Sequence, residues 1–458
     1  MKLEAHPNEV VNVREVDRST GLGMFACAAV QSGSVIYTDS PLVSIQHTAN
    51  RRFIKACQNC HRPLGGVADQ LAQIFAEERF AHVDLSAIKV PSSPAIFNCN
   101  CGEMYCSLEC ATDANKKHHR YLCVAGTHGD AIAEFKYHCL SVEGCGDNLL
   151  LLAQLLAVLE SQSNGDISLF ESSLKQLMTY TNRPFDEVAR PPEGSDRDHE
   201  WKAWLSETIT LSFELLMSAL IPQSPVFARF FSNKMHAFDV CSRILAIFEL
   251  NNIDIAIPTG LGFHLKTILM STSEAKSREQ LIRILREKEV VMRALWSNEA
   301  RGVYEDDDDE DDEAEVMSEE NVEDEEISDD CCSHVMDEEG AIEEMLEEIR
   351  QQVAEMSVDE LLESECPDFH GTGFYLSVAR TNHSCDPNVT MEFENFNCIV
   401  SCKTLRNVNA NDELRMSYIS RPDTKSVQVR RRQLQDYLFE CSCDLCEKQW
   451  SARKFNAM

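Results

Sequence analysis

The chain has 458 residues, 43% of them hydrophobic, enough to bury a substantial core and to build two or three domains. Its formal charge of −34 is concentrated in one place: Glu305 to Glu365 holds 30 acidic residues against one basic, Arg350, while the rest of the chain sets 46 acidic against 41 basic. That near-neutral remainder argues against nucleic acid as the main partner, despite the short basic run "KKHHRY" at 116–121.

The opening "MKLEAHPNEVVNVREVDR" has no apolar h-region, and no run reaches the roughly 18 apolar residues of a membrane span, so neither a secretory signal nor a membrane partner is expected. Residence in the nucleus, the cytoplasm or both follows, where the clustered cysteines among the chain's 20 are read as metal ligands rather than disulfides, and scattered ones such as Cys27, Cys241 and Cys398 as core or surface thiols. Residues 1–50 read as short strands, with "VVNVREV" and "GSVIYTD" flanking the glycine turn "STGLGMFA". Residues 51–125 are cysteine-rich with little core. The segment 126–303 turns helical, as in "LLLLAQLLAVLE", "ETITLSFELLMSALI" and "SREQLIRILREKEVVMRALW".

Residues 304–365 form an acidic insert expected to be largely disordered, because like charges repel and few apolar groups can collapse. Within it, Ile342, Met345, Leu346, Ile349 and Val353 keep helix spacing, and Ser357 with Glu360 makes a capping-box pattern. The insert is read as a solvated loop, or as a tether for basic partners through charge complementarity. Strand and turn character returns over 366–420, followed by a second cysteine-rich piece at 421–458. Each strand-rich piece is too short to stand alone, so the economical arrangement is one β domain split by long insertions.

Cys57, Cys60, Cys99, Cys101, Cys106, Cys110, His119 and Cys123 supply eight ligands, enough for two closed tetrahedral zinc sites, with His118 an alternative to His119. A weakly cored region of this size needs such staples. "CSCDLC" offers Cys441, Cys443 and Cys446, one ligand short of a third site. Cys385, in the stretch "ARTNHSCDPNV", completes it if that turn packs against the C-terminal segment. About three zinc ions per chain are therefore expected.

In this order the motifs resemble those of the SET and MYND domain lysine methyltransferases, and the resemblance covers nearly everything outside the acidic insert. "GLGMFA" (21–26) resembles the N-terminal SET turn, and the eight-ligand cluster resembles the MYND zinc finger that interrupts SET. "NHSCDPN" (382–388) is similar to the family signature, "LRNVNANDELRMSY" (405–418) to the last SET strands, and "RRRQLQDYLFECSCDLC" (430–446) to the post-SET region. Two features depart from the family: the acidic insert, between "ELNNID" and "GTGFY", and the CxC at 99–101 where CxxC is usual. The implied fold is α+β, a split SET β-fold interrupted by a MYND zinc finger and a helical insertion, with a zinc-binding post-SET segment.

The resemblance also implies a chemistry: S-adenosyl-L-methionine-dependent methylation of a lysine in a histone or another basic protein or peptide substrate. Tyr418 would be the catalytic tyrosine and touch the cofactor. Gly21, Leu22, Gly23, Asn382, His383 and Phe439 would contact the cofactor, as would Asn251, with Asn252 a one-residue alternative. Tyr437 would wall the lysine channel. The competing reading is a catalytically inactive adaptor that binds peptide partners, in which Asn382, His383 or Tyr418 would be expected to have degenerated.

Overall fold

Strands form where short apolar runs alternate with polar residues. β1 (Val11–Asp17) and β2 (Gly21–Ala26) make an antiparallel hairpin, and β3 (Val35–Asp39) and β4 (Val43–Gln46) follow. β5 (Phe97–Asn98) and β6 (Met104–Tyr105) pair within the cysteine-rich region. β7 (Ile253–Ile257) comes after the long helical stretch. β8 (Phe369–Phe374), β9 (Asn382–His383), β10 (Val389–Glu392), β11 (Val400–Thr404) and β12 (Glu413–Met416) come last. The structure, a computed structural model, describes residues 10–17, 20–76, 83–88, 95–142, 144–190, 198–299 and 338–456.

Three sheets draw strands from both sides of the insertions, in the orders β1-β2-β12-β9, β10-β11-β3 and β4-β8-β7. This is the split β domain expected from the two short strand-rich pieces. Val11, Met24, Ile36, Val389, Cys402 and Leu414, three from each piece, share one buried core, so neither piece has a closed interior without the other. β9 runs parallel to β12, with Asn382 opposite Arg415 and His383 opposite Met416.

The described residues divide into two compact units, one drawn from 1–73, 90–260 and 367–458, the other from 74–89 and 261–366. In the first, the Gly146–Ser163 helix is apolar around nearly its whole circumference and is buried accordingly, with Leu151, Leu156, Ala157 and Leu159 all fully enclosed. By length and hydropathy alone, Glu200–Gln223 would suffice to cross a bilayer. However, Leu205, Phe213, Leu216, Met217 and Leu220 of that stretch lie buried in the core of the same unit, the environment of a core helix.

The second unit moves one boundary and contains the helices expected within the acidic segment. Its boundary at 260/261 puts the helices Leu261–Ser271 and Ala275–Glu299 with the acidic segment, not with the helical insertion. The acidic segment itself is helical at Glu338–Glu355 and Val358–Glu363, whereas 304–337 lies outside the described residues. The reason is patterning: Leu346, Ile349 and Val353 are buried while the glutamates lie on the outer face, so charge and helix do not compete. The capping box closes as its spacing predicts, Ser357 Oγ accepting from Glu360 N–H (3.2 Å) and Ser357 N–H donating to Glu360 Oε2 (2.6 Å).

Leu346 is 1% exposed, so Leu346→Ala is expected to destabilise the second unit by about 2–5 kcal/mol. Hydrogen exchange should then show loss of amide protection across 342–355. Unchanged protection would mean that this acidic helix is not held by its apolar stripe.

Candidate active site and metal centres

The twelve candidate metal ligands fall into three groups of four: Cys57, Cys60, Cys106 and Cys110; Cys99, Cys101, His119 and Cys123; and Cys385, Cys441, Cys443 and Cys446. Within each group the ligand atoms all lie within 4.8 Å of one another. Sulfur separations include 3.6 Å for Cys60–Cys106, 3.5 Å for Cys106–Cys110, 3.7 Å for Cys99–Cys123 and 3.5 Å for Cys385–Cys446. These are far longer than a disulfide bond and match the edge of about 3.8 Å expected around a tetrahedral zinc with Zn–S near 2.3 Å. The two finger sites interleave along the chain, first pair with third and second pair with fourth.

The CxC at 99–101 is accommodated by a tight turn in which Gly102 N–H donates to Cys99 O (2.9 Å) and Gly102 takes φ +93°. Both sulfurs thereby reach His119 Nε2, at 3.3 and 3.6 Å. The third group uses the same device at Cys441 and Cys443, where Cys443 N–H points at Cys441 Sγ (3.4 Å). Both neighbouring histidines lie in a π-helical turn over Asn115–His119 and point different ways. His119 faces the cysteines, whereas His118 Nε2 lies 3.3 Å from Gln154 Nε2, so the histidine ambiguity resolves to His119.

Four clustered thiols cannot all ionise without a counter-charge. In the third group, hydrogen bonds from Cys385 and Cys441 lower the Cys443 pKa, and the same shared bonding raises that of Cys385. A divalent ion removes this competition by holding all four as thiolates. Arg430 adds a fixed positive charge: it is fully buried, with Nη2 donating to Cys446 Sγ (3.4 Å) and Gln449 Oε1 (2.9 Å). Arg430 lies on the Val427–Leu434 helix before this cluster, and sequence reasoning did not single it out. The available signal was its position four residues before inward-facing Leu434.

The turn carrying Cys385 also carries the candidate cofactor contacts. His383 Nδ1 accepts from Tyr418 N–H (3.0 Å), which leaves the ring proton on Nε2, 3.3 Å from Cys385 Sγ. Burial pushes the His383 pKa down to about 4, so the ring is neutral at physiological pH. Tyr418 donates its hydroxyl to Thr381 O (2.9 Å), which keeps the oxygen's lone pairs available as acceptors. Burial also raises its pKa above the ordinary tyrosine value, so the phenol stays protonated.

The rings of His383, Tyr437 and Phe439 stand 5.3, 5.0 and 6.2 Å from that of Tyr418, forming an aromatic enclosure around it. Leu438, at φ +62°, turns the chain between Tyr437 and Phe439. For a leucine this conformation costs about 1–3 kcal/mol, so the surroundings must hold it. Thr381, Glu413 and Arg430 complete the setting, and sequence reasoning missed all three because they act through carbonyls and buried charge rather than through a motif.

Asn382 uses both amide hydrogens on the protein, donating to Glu413 Oε1 (2.8 Å) and Leu22 O (3.2 Å). Its Oδ1 has no partner among the described residues and suits a cationic group such as an ammonium. The glycines also serve the fold. Gly21 is open to space and takes a φ of +79°. A Cβ on Gly23 would stand 2.6 Å from Val16, 2.8 Å from Glu413 Oε1 and 3.0 Å from Asn382 Nδ2, so glycine is needed there for these neighbours to pack. Leu22 contributes its carbonyl to Asn382.

Asn251, like Asn382, uses its amide hydrogens on the protein, donating to Thr181 O (3.0 Å) and Ile247 O (2.8 Å) at the end of the Lys234–Asn251 helix, and those bonds leave its Oδ1 aside. Asn252 has both side-chain polar atoms buried and unpartnered, a cost that a hydrogen-bonding ligand would relieve. Asn252 is therefore a candidate beside Asn251.

Comparison with known proteins gives these features a context. The SET domain family model matches residues 261–419. A SET and MYND domain-containing protein of Dictyostelium discoideum is 45% identical over 78 residues, 17% of this chain and 14% of its own. Protein-lysine N-trimethyltransferase SMYD5 of Mus musculus is 30% identical over 122 residues, 26% of this chain and 29% of its own. Histone-lysine N-methyltransferase SMYD3 of Mus musculus is 38% identical over 80 residues, 17% and 18%. The alignments span less than a third of the length of these curated relatives.

Metal analysis of the purified chain should return about three zinc ions, and about two for Cys385→Ser, because a closed structural site needs four ligands. The variant should also lose order over 427–446 by hydrogen exchange while the finger stays protected. Three ions retained in the variant would remove Cys385 from the ligand set.

Proposed function

We propose that this chain, which belongs to the SET and MYND domain family, is a protein-lysine N-methyltransferase that uses S-adenosylmethionine. The observation that carries the proposal is the packing of the His383, Tyr437 and Phe439 rings around Tyr418, with Asn382 beside His383 on the same short strand. Each of the residues whose loss would mark a retired enzyme is present and held in place, and no observation favours the adaptor reading.

When bound, the cofactor supplies an electrophilic methyl group on a sulfonium. The protein's task is to align a neutral amine with it and exclude water, and alignment of this kind is worth roughly 7–11 kcal/mol. Asn382 Oδ1 and the polar atoms of Asn252 bind and orient the cofactor. Phe439 packs against it, and neutral His383 holds the Tyr418 backbone by accepting its N–H. Tyr418 directs its lone pairs toward the reacting groups. Tyr437, whose hydroxyl donates to Tyr418 O (3.3 Å), lines the lysine channel, and exclusion of water there disfavours the ammonium form.

The substrate is a basic protein, a histone or another lysine-rich chain. Supporting this is the net charge of −29 over Glu305–Glu365, which raises the local concentration of a cationic partner. Deleting residues 305–337 is expected to raise KM for such a substrate at low salt with kcat unchanged. An unchanged KM would remove the electrostatic part of the proposal.

The primary experiment combines calorimetry of S-adenosylmethionine binding with transfer of labelled methyl to basic proteins, on zinc-loaded enzyme. His383→Ala and Asn252→Ala should weaken cofactor binding about tenfold or more, as buried hydrogen bonds are lost. Asn251→Ala should lower thermal stability through the lost bonds to Thr181 and Ile247. Tyr418→Phe should cut kcat about 100-fold or more with cofactor affinity nearly unchanged, as expected for a group acting in the transition state. The rate should climb with pH toward the lysine pKa of about 10.4. No falling limb from Tyr418 should appear below it, because its pKa is raised. Folded, zinc-replete protein that binds no cofactor would overturn the proposal.

A further inference from the structure

A cavity of about 160 Å³ lies between β4, the Gly129–Ser141 and Gly146–Ser163 helices and the β6 strand of the finger. None of its walls belongs to the Asn382–His383–Tyr418 cluster. Leu122, Phe135, Leu150 and Ala153 make an apolar floor, and Arg51, Glu103 and Lys136 stand among its polar walls. Four observations describe what it is suited to hold.

The first is size. A cavity of about 150 Å³ lined by apolar side chains is enough to bind benzene, so this one has room for a single aromatic ring. The second is charge. Arg51 Nη1 (3.4 Å) and Lys136 Nζ (3.8 Å) both approach the same oxygen of Glu103, so two cations share one carboxylate and a positive charge remains for an incoming anion.

The third is an available donor. Tyr105 lines the cavity, and its hydroxyl makes no hydrogen bond among the described residues, so it is free to donate to a bound group. The fourth is the mouth. Leu140 lines the cavity while remaining 59% exposed, and Tyr137, three residues earlier on the same helix, is 76% exposed. Residues so spaced are neighbours on a helix surface, so an apolar strip continues outward beyond the space a ring would fill.

We propose that this cavity docks an acidic peptide segment of a partner protein, its aromatic side chain in the cavity and a neighbouring carboxylate against Arg51 and Lys136. A backbone carbonyl or carboxylate oxygen of the segment accepts the Tyr105 hydroxyl proton, and flanking residues lie along Tyr137 and Leu140. The outward apolar strip is the reason for a peptide rather than a small aromatic acid, which would leave it uncovered. The site is separate from the methyl-transfer chemistry and does not rest on it. A partner held here also takes the opposite charge to a basic substrate, so the two would occupy the chain together.

The test is fluorescence anisotropy on zinc-loaded full chain with a labelled hexapeptide carrying one phenylalanine between two aspartates. Controls replace the phenylalanine with alanine or the aspartates with lysines. Saturable binding of the first peptide alone is expected. It should weaken about tenfold or more in Arg51→Glu/Lys136→Glu and about threefold in Tyr105→Phe, as for a charged pair and a single neutral hydrogen bond. Leu140→Arg, on an exposed helix surface, should block it even if the charge variants fold poorly. Zinc content and far-ultraviolet circular dichroism establish that each variant is folded. Absence of saturable binding to folded protein, equal binding of the alanine peptide, or indifference to all three variants would overturn the proposal. Binding of 3-phenylpropionate as tight as that of the peptide would do so too, since the cavity would then serve a small aromatic acid.

Discussion

Cys385 is where two stretches of chain 56 residues apart become one site, because its sulfur lies 3.9 Å from Cys441 and 3.5 Å from Cys446. The neighbouring His383 reads that sulfur with one ring nitrogen and the Tyr418 backbone with the other. Phe439 and Tyr437 arrive with the C-terminal cysteines. The candidate chemistry is thus built on a metal-ligand geometry. Among the described residues, the buried cluster there consists of the four cysteines with Val427 and Leu434, with Tyr418, Ile419, Tyr437, Phe439 and Leu445 packed at its margin. Arg430 matters for the same reason, since a buried guanidinium is costly unless its charge has an answering partner.

Much of this arrangement was legible in the residues, and the reasons differ from part to part. The metal groups could be read because soft ligands at chelating spacings have few other uses in one short region. Cys385 could be read because three ligands demand a fourth. The split β domain followed from two strand-rich pieces, neither large enough to close a core. The helix at 342–353 showed its period of 3.6 despite its charge, and the buried run at 149–159 showed its lack of any polar face.

What stayed hidden depended on backbone geometry or on neighbours distant in sequence. Whether His118 or His119 faces the cysteines is decided by a single π turn, for which "NKKHH" carries no signature. How Asn251 and Asn252 are each bonded is decided by where a helix stops, the least predictable feature of any element. Gly23 makes room for Val16, Glu413 and Asn382, and the last two of these neighbours arrive only with β12 and β9. Thr381 serves through a carbonyl that every residue possesses. Motifs report side-chain chemistry, and these contributions come from the main chain and from burial.

The strand order β1-β2-β12-β9 has a consequence for how the molecule is made. β2 ends at Ala26 and its partner β12 begins at Glu413, so nearly 390 residues must leave the ribosome before that edge can pair. At about 5–20 residues per second, the hairpin waits roughly 20–80 seconds with an open hydrogen-bonding edge. The finger and the helical insertion, whose contacts are more local, can mature during that interval. Translation speed and chaperone supply therefore bear directly on the yield of assembled sites, and the nascent hairpin is the stage most exposed to mispairing with other chains.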